Sequence, residues 1–266
     1  GLGDPRHGHH GNRHRRAGMT MLGFGTYRGA RRTRPAASPA PPAELSPRDA
    51  LIAAPATLAV WDTTQADSMA RPEGGHPSAP GDTIGTLANL KTPGSFSWTA
   101  ASPSMAPQWQ HGKIAFDGVD DDLRLQIPDL PRSDLHVIFL LKTDDAAGLL
   151  VYATTNTYLG AWEASPAANS SGSGTYYIDG TGFSSGSATR SQIKALVADG
   201  RFHRIGFQMA HGSTSQLPRI GGYGVQYCVQ GVLIPICALQ TTHSGFADAL
   251  ALAIAYCDER AAGLTE

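Results

Sequence analysis

Between Thr57 and Leu239 the chain consists of short apolar runs that are separated by segments rich in glycine and proline. Glycine and proline interrupt helices and supply the backbone dihedral angles of turns. Several runs alternate apolar and polar residues, which is typical of a strand buried on one side only. We therefore predict strands at residues 57–61, 95–98, 113–116, 123–127, 135–142, 148–153, 157–162, 175–179, 201–210, 218–223 and 229–239.

The segment Leu135–Leu141 differs from the other runs because it is apolar at nearly every position. This pattern is typical of a central strand whose two faces are both covered. Short strands, glycine-rich turns and almost no helical periodicity between them favour two packed sheets over an α/β fold. The predicted fold class is all-β, with a two-sheet antiparallel sandwich over residues 56–266.

The composition agrees with a turn-rich β protein: the 266 residues include 31 glycines and 18 prolines, and only 16% are charged. All-β sandwiches can be this long as single domains, so the length does not require a second domain. The chain contains no run of eighteen apolar residues. We therefore predict no transmembrane helix and no insertion into a membrane.

One helix is predicted, at the C-terminal end of the sandwich. Ser244 is a candidate cap, and Gly263 is a suitable stop. We expect the helix to span residues 246–261 and to close the domain as a lid on the edge of the sandwich. The apolar residues that recur on one face of this pattern are Phe246, Leu250, Ile254 and Cys257.

The N-terminal part of the chain is basic and the remainder is acidic. Residues 1–48 hold nine arginines against two acidic residues, a net charge of +7, while residues 49–266 carry −8. We predict a disordered basic arm over residues 1–34 and an extended Pro/Ala-rich linker over residues 35–55. The arginines lack interleaved aromatic residues where they are densest, so no specific nucleic-acid partner is predicted.

Three segments together resemble the LamG-like, concanavalin A-like lectin/glucanase superfamily. They are LAVWDTTQADSM at 58–69, GKIAFDGVDDDLRL at 112–125, and PRIGGYGVQYCVQGVLIPICAL at 218–239 with the following helix that ends in AYCDERAAGL. The resemblance covers residues 58–265 and is to members found in phage fibre, spike or decoration proteins. It implies a jelly-roll connection of the two sheets.

The resemblance also implies a function and a location. Members often bind glycans, so a glycan or cell-surface polysaccharide is the expected partner. The basic arm resembles an anchor to other virion proteins, which implies a virion or another particle as the location. No secretory signal follows Arg31 and Arg32, so we expect synthesis in the cytoplasm.

Catalysis is not expected. Glycan-cleaving members of the superfamily carry two acidic residues on one strand in an E-x-D-x-E or similar pattern, because alternation then places both carboxylates on one face. No glutamate stands at such a spacing from an aspartate on a predicted strand; the five are Glu44, Glu73, Glu163, Glu259 and Glu266. The predicted function is a non-catalytic carbohydrate-binding or virion-associated structural module. The alternatives are a self-assembling decoration protein and an unrecognised glycan hydrolase.

Aromatic residues concentrate between positions 152 and 183, and sugar-binding sites use exposed aromatic rings together with amides and carboxylates. The alternative for each ring is packing in the core. The neighbours Tyr176 and Tyr177 must point to opposite faces of a strand, so one of them can be exposed. The glycan-binding candidates are Tyr152, Asn156, Tyr158, Trp162, Tyr176, Tyr177 and Asp179.

Four aspartates follow the predicted strand 113–116 and are named here the acidic corner: Asp117, Asp120, Asp121 and Asp122. Clustered carboxylate oxygens are ligands that Ca²⁺ prefers. Asp-Gly is also a turn sequence, in which aspartate side chains accept backbone N–H groups nearby. Both a calcium site and a turn are therefore open for the acidic corner, and no other cofactor is expected.

Overall fold

Two antiparallel sheets pack face to face, and two helices cover the outer side of one of them. The compact unit begins at Glu44, so the predicted arm and most of the linker lie outside the residues described. The computed structural model describes residues 44–128, 134–145, 149–154, 157–160, 175–184, 188–208, 218–222 and 228–264.

The described part of the chain contains fifteen strands, three α-helices and two short 3₁₀ helices. The strands are β1 (Thr57–Val60), β2 (Met69–Ala70), β3 (Thr86–Leu87), β4 (Trp98–Ala100), β5 (Gln108–Gln110), β6 (Lys113–Asp117), β7 (Leu123–Leu125), β8 (Leu135–Asp145), β9 (Leu149–Thr154), β10 (Thr157–Gly160), β11 (Thr175–Ile178), β12 (Thr181–Ser184), β13 (His203–Gln208), β14 (Arg219–Ile220) and β15 (Gln230–Gln240). The helices are α1 (Pro47–Ala53), α2 (Arg190–Val197) and α3 (Phe246–Gly263), and the 3₁₀ helices are Ala66–Ser68 and Pro103–Met105.

The first sheet, sheet A, has the strand order β12-β11-β13-β8-β15-β6-β5, with β1 also paired to β15. The second, sheet B, has the order β10-β9-β14-β7-β4-β3-β2. Neighbouring strands in both sheets are antiparallel, so the predicted two-sheet antiparallel architecture is confirmed. The jelly-roll connection stays a prediction.

Strand β8 is apolar on both faces because each face is covered by another layer of the protein. Val137 and Phe139 point into the core between the two sheets, where they meet residues of sheet B such as Trp98. Ile138 and Leu140 point the other way, into a second core beneath the helices. The prediction that Leu135–Leu141 forms a central strand between two layers is confirmed.

Helix α3 was predicted correctly as an element, but its placement on the edge of the sandwich was wrong. It lies on the outer face of sheet A, against β15 and β8. That face carries apolar side chains that must be covered, and small helix residues such as Ala249 and Ala253 allow a close approach. The predicted cap, Ser244, is also wrong: the residue at the cap position is Gly245, and no side chain caps the helix.

Two further helices were not predicted. Helix α1 lies within the segment expected to be an extended linker: the Ser46 hydroxyl accepts the Asp49 N–H, and Leu51 is fully buried under sheet A. Helix α2 begins with a capping box, in which Thr189 and Gln192 satisfy each other's backbone N–H groups. Short helices of seven and eight residues give little periodicity, and the caps are their clearest signal.

Several strand predictions also need correction. The strand predicted at residues 95–98 is shifted: β4 spans Trp98–Ala100, so residues 95–97 lie before it. The short strands β2, β3, β5 and β12 were not predicted, since a strand of two to four residues carries little alternation.

Candidate ligand-binding cleft

Helix α3 covers only part of the outer face of sheet A, and a cavity of about 320 Å³ remains between the helix and strands β8, β11 and β13. We call this cavity the α3 cleft. Its floor is formed by side chains and backbone of the sheet, and its wall by the first half of the helix. The floor residues are His136, Ile138, Tyr177 and Gly206, and the wall residues are Phe246, Leu250 and Ile254.

The register of the strands brings the floor together. Tyr177, Gly206 and Ile138 lie opposite one another across β11, β13 and β8, and His136 lies opposite Gln208 one step along. Because side chains alternate along a strand, all of these positions face the helix layer. The cleft therefore follows directly from the antiparallel pairing of three neighbouring strands.

The neighbours Tyr176 and Tyr177 point to opposite faces of β11. Tyr176 is 1% exposed and lies in the core between the sheets, with its ring 6.4 Å from that of Phe207. Burial removes it from the residues that a ligand could reach. Tyr177 is half-buried on the cleft floor, with its ring 5.4 Å from that of His136.

His136 is the polar residue of the cleft floor. Its ring lies between those of Tyr177 and Phe246, at 5.4 and 5.8 Å, and the residue is 5% exposed. Within the described residues its Nδ1 has no hydrogen-bond partner. Burial lowers the pKa of His136 to about 4, so the imidazole is neutral at physiological pH.

Gly206 makes room for the His136 ring. A Cβ atom at position 206 would lie 2.9 Å from His136 Nε2, which is closer than real Cβ contacts. His136 is not among the binding residues predicted from the sequence. The available signal was its place beside Leu135, at the start of a strand that is otherwise apolar.

A tight turn joins β11 to β12 at the rim of the cleft. Asp179 and Gly180 both have positive φ, at 49° and 87°, as a two-residue hairpin turn requires. The Asp179 carboxylate is hydrogen-bonded to His203 Nδ1 at 2.7 Å, and His203 Nε2 lies 2.9 Å from Asp199 Oδ1. Burial by itself would lower the pKa of His203, but the bonds to the two aspartates raise it. This aspartate–histidine–aspartate chain holds the turn in place.

The charges at the rim are paired. Arg204 Nη1 lies 3.3 Å from Asp258 Oδ1 on α3, and the Arg204 N–H donates to Asp179 at 2.8 Å. Gln208 is the neutral polar side chain at the rim, where it is half-buried. An uncharged ligand with hydrogen-bonding groups matches this arrangement better than an ion does.

Two other glycan-binding candidates, Tyr152 and Tyr158, lie in sheet B and not at the cleft. Their backbones are paired in the register of β9 and β10, at the edge of that sheet. Asn156 and Trp162 lie outside the described residues. Of the seven candidates, the structure places Tyr177 on the cleft floor and Asp179 on the turn at its rim.

The acidic corner lies at the end of β6. Asp117, Asp120 and Asp121 each place one carboxylate oxygen within 4.8 Å of the others. The Asp121 carboxylate accepts the Asp117 N–H at 2.7 Å, and Asp117 accepts the Val119 N–H, also at 2.7 Å, so the corner does form a turn. Burial, followed by the neighbouring carboxylates, raises the pKa of Asp121 to about 7. These three residues are the ones that could hold Ca²⁺, and calcium stays a prediction.

Asp122 is directed elsewhere. Its fully buried carboxylate forms ion pairs with Arg124 at 3.0 Å and with Arg219 at 3.4 Å. The structure therefore separates Asp122 from the other three residues proposed as calcium ligands.

Among the described residues, no helix combines the length and the apolar character needed to cross a membrane. Comparisons with protein-family models, with curated proteins and with solved structures give no match for this chain, so its superfamily stays a prediction from three sequence segments.

Proposed function

We propose that the protein is a non-catalytic glycan-binding module and that its sugar site is the α3 cleft. The observation that carries this proposal is the half-buried ring of Tyr177 on the cleft floor, beside the polar side chains of Gln208 and Arg204. Sugars present apolar C–H faces to aromatic rings and hydroxyl groups to amides and charged groups. Both kinds of group meet at this cleft.

The size of the cleft limits what enters it. A volume of about 320 Å³ lies at the lower end of the range for small-molecule sites, roughly 300–1,000 Å³. The cleft therefore suits one glycosyl unit, either at the end of a polysaccharide or on a side branch. An extended chain would continue over the rim.

The carboxylates near the cleft favour binding over hydrolysis. A glycosidase needs one carboxylic acid that can give up a proton and a second carboxylate across the scissile bond. Here Asp179 is hydrogen-bonded to His203, and Asp258 is paired with Arg204. Each carboxylate is thus engaged by a basic neighbour, which supports a site without catalysis.

The place of the module in a virion or other particle is also part of the proposal. It rests on the sequence resemblance and on the basic N-terminal segment, which would contact other particle proteins. The glycan or cell-surface polysaccharide would then be bound by the sandwich while the arm holds the particle.

A glycan array with the full chain tests the binding function. We expect retention of a defined set of glycans and at least about a tenfold loss of affinity for Tyr177→Ala, since about 1.4 kcal/mol of ring contact corresponds to that factor. Phe183→Ala is the matched control, because Phe183 is half-buried in the same hairpin but packs towards the core between the sheets. Wild-type binding by Tyr177→Ala would contradict the proposed site. Binding to no glycan, together with a stable oligomer in solution, would favour the decoration-protein alternative.

A further inference from the structure

The wall of the α3 cleft is more apolar than an unsubstituted sugar requires. Phe246, Leu250 and Ile254 form a hydrocarbon surface along the wall, and Ile138 extends this surface onto the floor. A hydroxyl group placed against them would lose its hydrogen bonds to water and gain none in return, which is unfavourable. A ligand that fits this wall carries an apolar group there.

The imidazole of His136 supplies the second constraint. The His136 side chain is 5% exposed, and its Nδ1 atom is enclosed by protein, so Nδ1 is not the atom that a ligand in the cleft would reach. The other ring nitrogen, Nε2, lies above Gly206 in the cleft floor. A neutral imidazole has one nitrogen that donates and one that accepts, so it can bond either the N–H or the C=O of an amide.

Charge is the third constraint. Among the described residues that line the cleft, Arg204 is the charged one, and it is paired with Asp258. The occupant is therefore expected to be uncharged, because a charged group entering the cleft would be desolvated without a free counter-charge.

We infer that the α3 cleft takes an N-acylated amino sugar, with the acyl methyl group against the apolar wall and the amide at His136. This inference rests on the proposed function and names its ligand class. The sugar ring lies on Tyr177, and its hydroxyl groups reach Gln208 and the rim. A 6-deoxy sugar also carries a methyl group, but it offers no amide and leaves His136 without a partner.

Matched sugars test the inference in solution with the full chain. Titrations followed by NMR or calorimetry compare N-acetylglucosamine and N-acetylgalactosamine with glucose and galactose, and with the 6-deoxy sugar fucose. We expect the N-acetylated sugars to bind at least about tenfold more tightly than their parent sugars, because the methyl contact and one hydrogen bond together contribute about 1.4 kcal/mol or more.

Two variants locate the effect on the cleft. Ile254→Glu places a charge on the apolar wall and should abolish binding, whereas Ala255→Glu adds the same charge at the next exposed position of α3, outside the cleft lining, and should not. His136→Phe keeps a ring between Tyr177 and Phe246 and should reduce the preference for the N-acetyl group to less than about threefold.

The outcomes separate the inference from the proposed function. Binding that depends on Tyr177 but is equal for N-acetylated and parent sugars would overturn the inference and leave the glycan-binding function standing. Fucose binding as tightly as N-acetylglucosamine would overturn the role of the amide. If no sugar binds at any accessible concentration, the proposed function itself fails.

Discussion

The buried imidazole of His136 makes a quantitative prediction about folding. Burial alone lowers the pKa of this group from 6.5 to about 4 in the folded protein, and no neighbouring charge contributes. The unfolded chain therefore binds a proton more readily than the folded one as the pH falls below 6.5. The free energy of unfolding therefore decreases as the pH falls from about 6.5 towards 4, and this loss is complete only below the pKa of His136 in the folded protein.

The magnitude follows from the size of the shift. One pKa unit corresponds to about 1.4 kcal/mol, so the change from 6.5 to about 4 is equivalent to about 3 kcal/mol of stability that is present near neutral pH and lost in acid. His136→Phe removes the titrating group and keeps a ring of similar size between Tyr177 and Phe246. It also removes an unpartnered polar atom, so near pH 7 the variant should be at least as stable as the wild type.

Urea denaturation followed by tryptophan fluorescence, at a series of pH values between about 7 and 4.5, measures the effect. We expect the stability of His136→Phe relative to the wild type to rise by about 2–3 kcal/mol across that range. The control is His111→Asn, because His111 is exposed and asparagine tolerates its positive φ of 49°. Equal pH slopes for His136→Phe and the wild type would refute the placement of a neutral imidazole in the cleft.

Two other substitutions test the acidic corner and the attachment of α3. Burial raises the pKa of Asp121 to about 7, so its contribution to stability is present in acid and lost as the pH rises from about 4 through 7. Asp121→Asn should therefore flatten the pH dependence of the free energy of unfolding between about pH 5 and 8, whereas the control Asp120→Asn should retain most of it. A Ca²⁺-dependent rise in melting temperature that both variants reduce would indicate a bound ion instead. Arg260 is 9% exposed and donates from Nη2 to the Thr63 hydroxyl at 3.1 Å and to the Gly112 carbonyl at 2.9 Å. Arg260→Ala should lower the free energy of unfolding by about 2–3 kcal/mol, whereas the control Glu259→Ala, at an exposed position, should lower it by less than about 0.5 kcal/mol. Equal losses for the two variants would contradict the buried contact.

The sequence predicts those parts of the fold that depend on local pattern. An apolar residue at nearly every position of Leu135–Leu141 requires two covered faces, and β8 has them. The helical period of α3 is equally clear, but the direction in which its apolar stripe points is not. Ala249 and Ala253 carry less apolar surface than Leu250 and Ile254, yet they pack on the sheet because their size permits close contact. Such a choice depends on the partner surface, which sequence periodicity does not contain.

Helix α1 shows a different limit. A Pro/Ala-rich segment suggests an extended chain, but Pro47 stands in the first turn of a helix, where its missing N–H and fixed φ are compatible with helical structure. The cap by Ser46 is readable in the sequence, whereas the burial of Leu51 under sheet A is not. Packing against the sheet supplies the stability that a helix of seven residues lacks alone.

The α3 cleft arises from a mismatch between the width of the sheet and the width of the helix layer. Helix α3 packs on β15 and β8, while sheet A continues outwards through β13 and β11. The larger side chains of the helix, from Phe246 to Ile254, then face the uncovered part of the sheet at a distance and form a wall. Glycine at position 206 lowers the floor beneath His136 and Tyr177. A residue with a Cβ at 206 would displace the imidazole into the cavity, so the same position that admits the buried histidine also keeps the cleft open for a ligand.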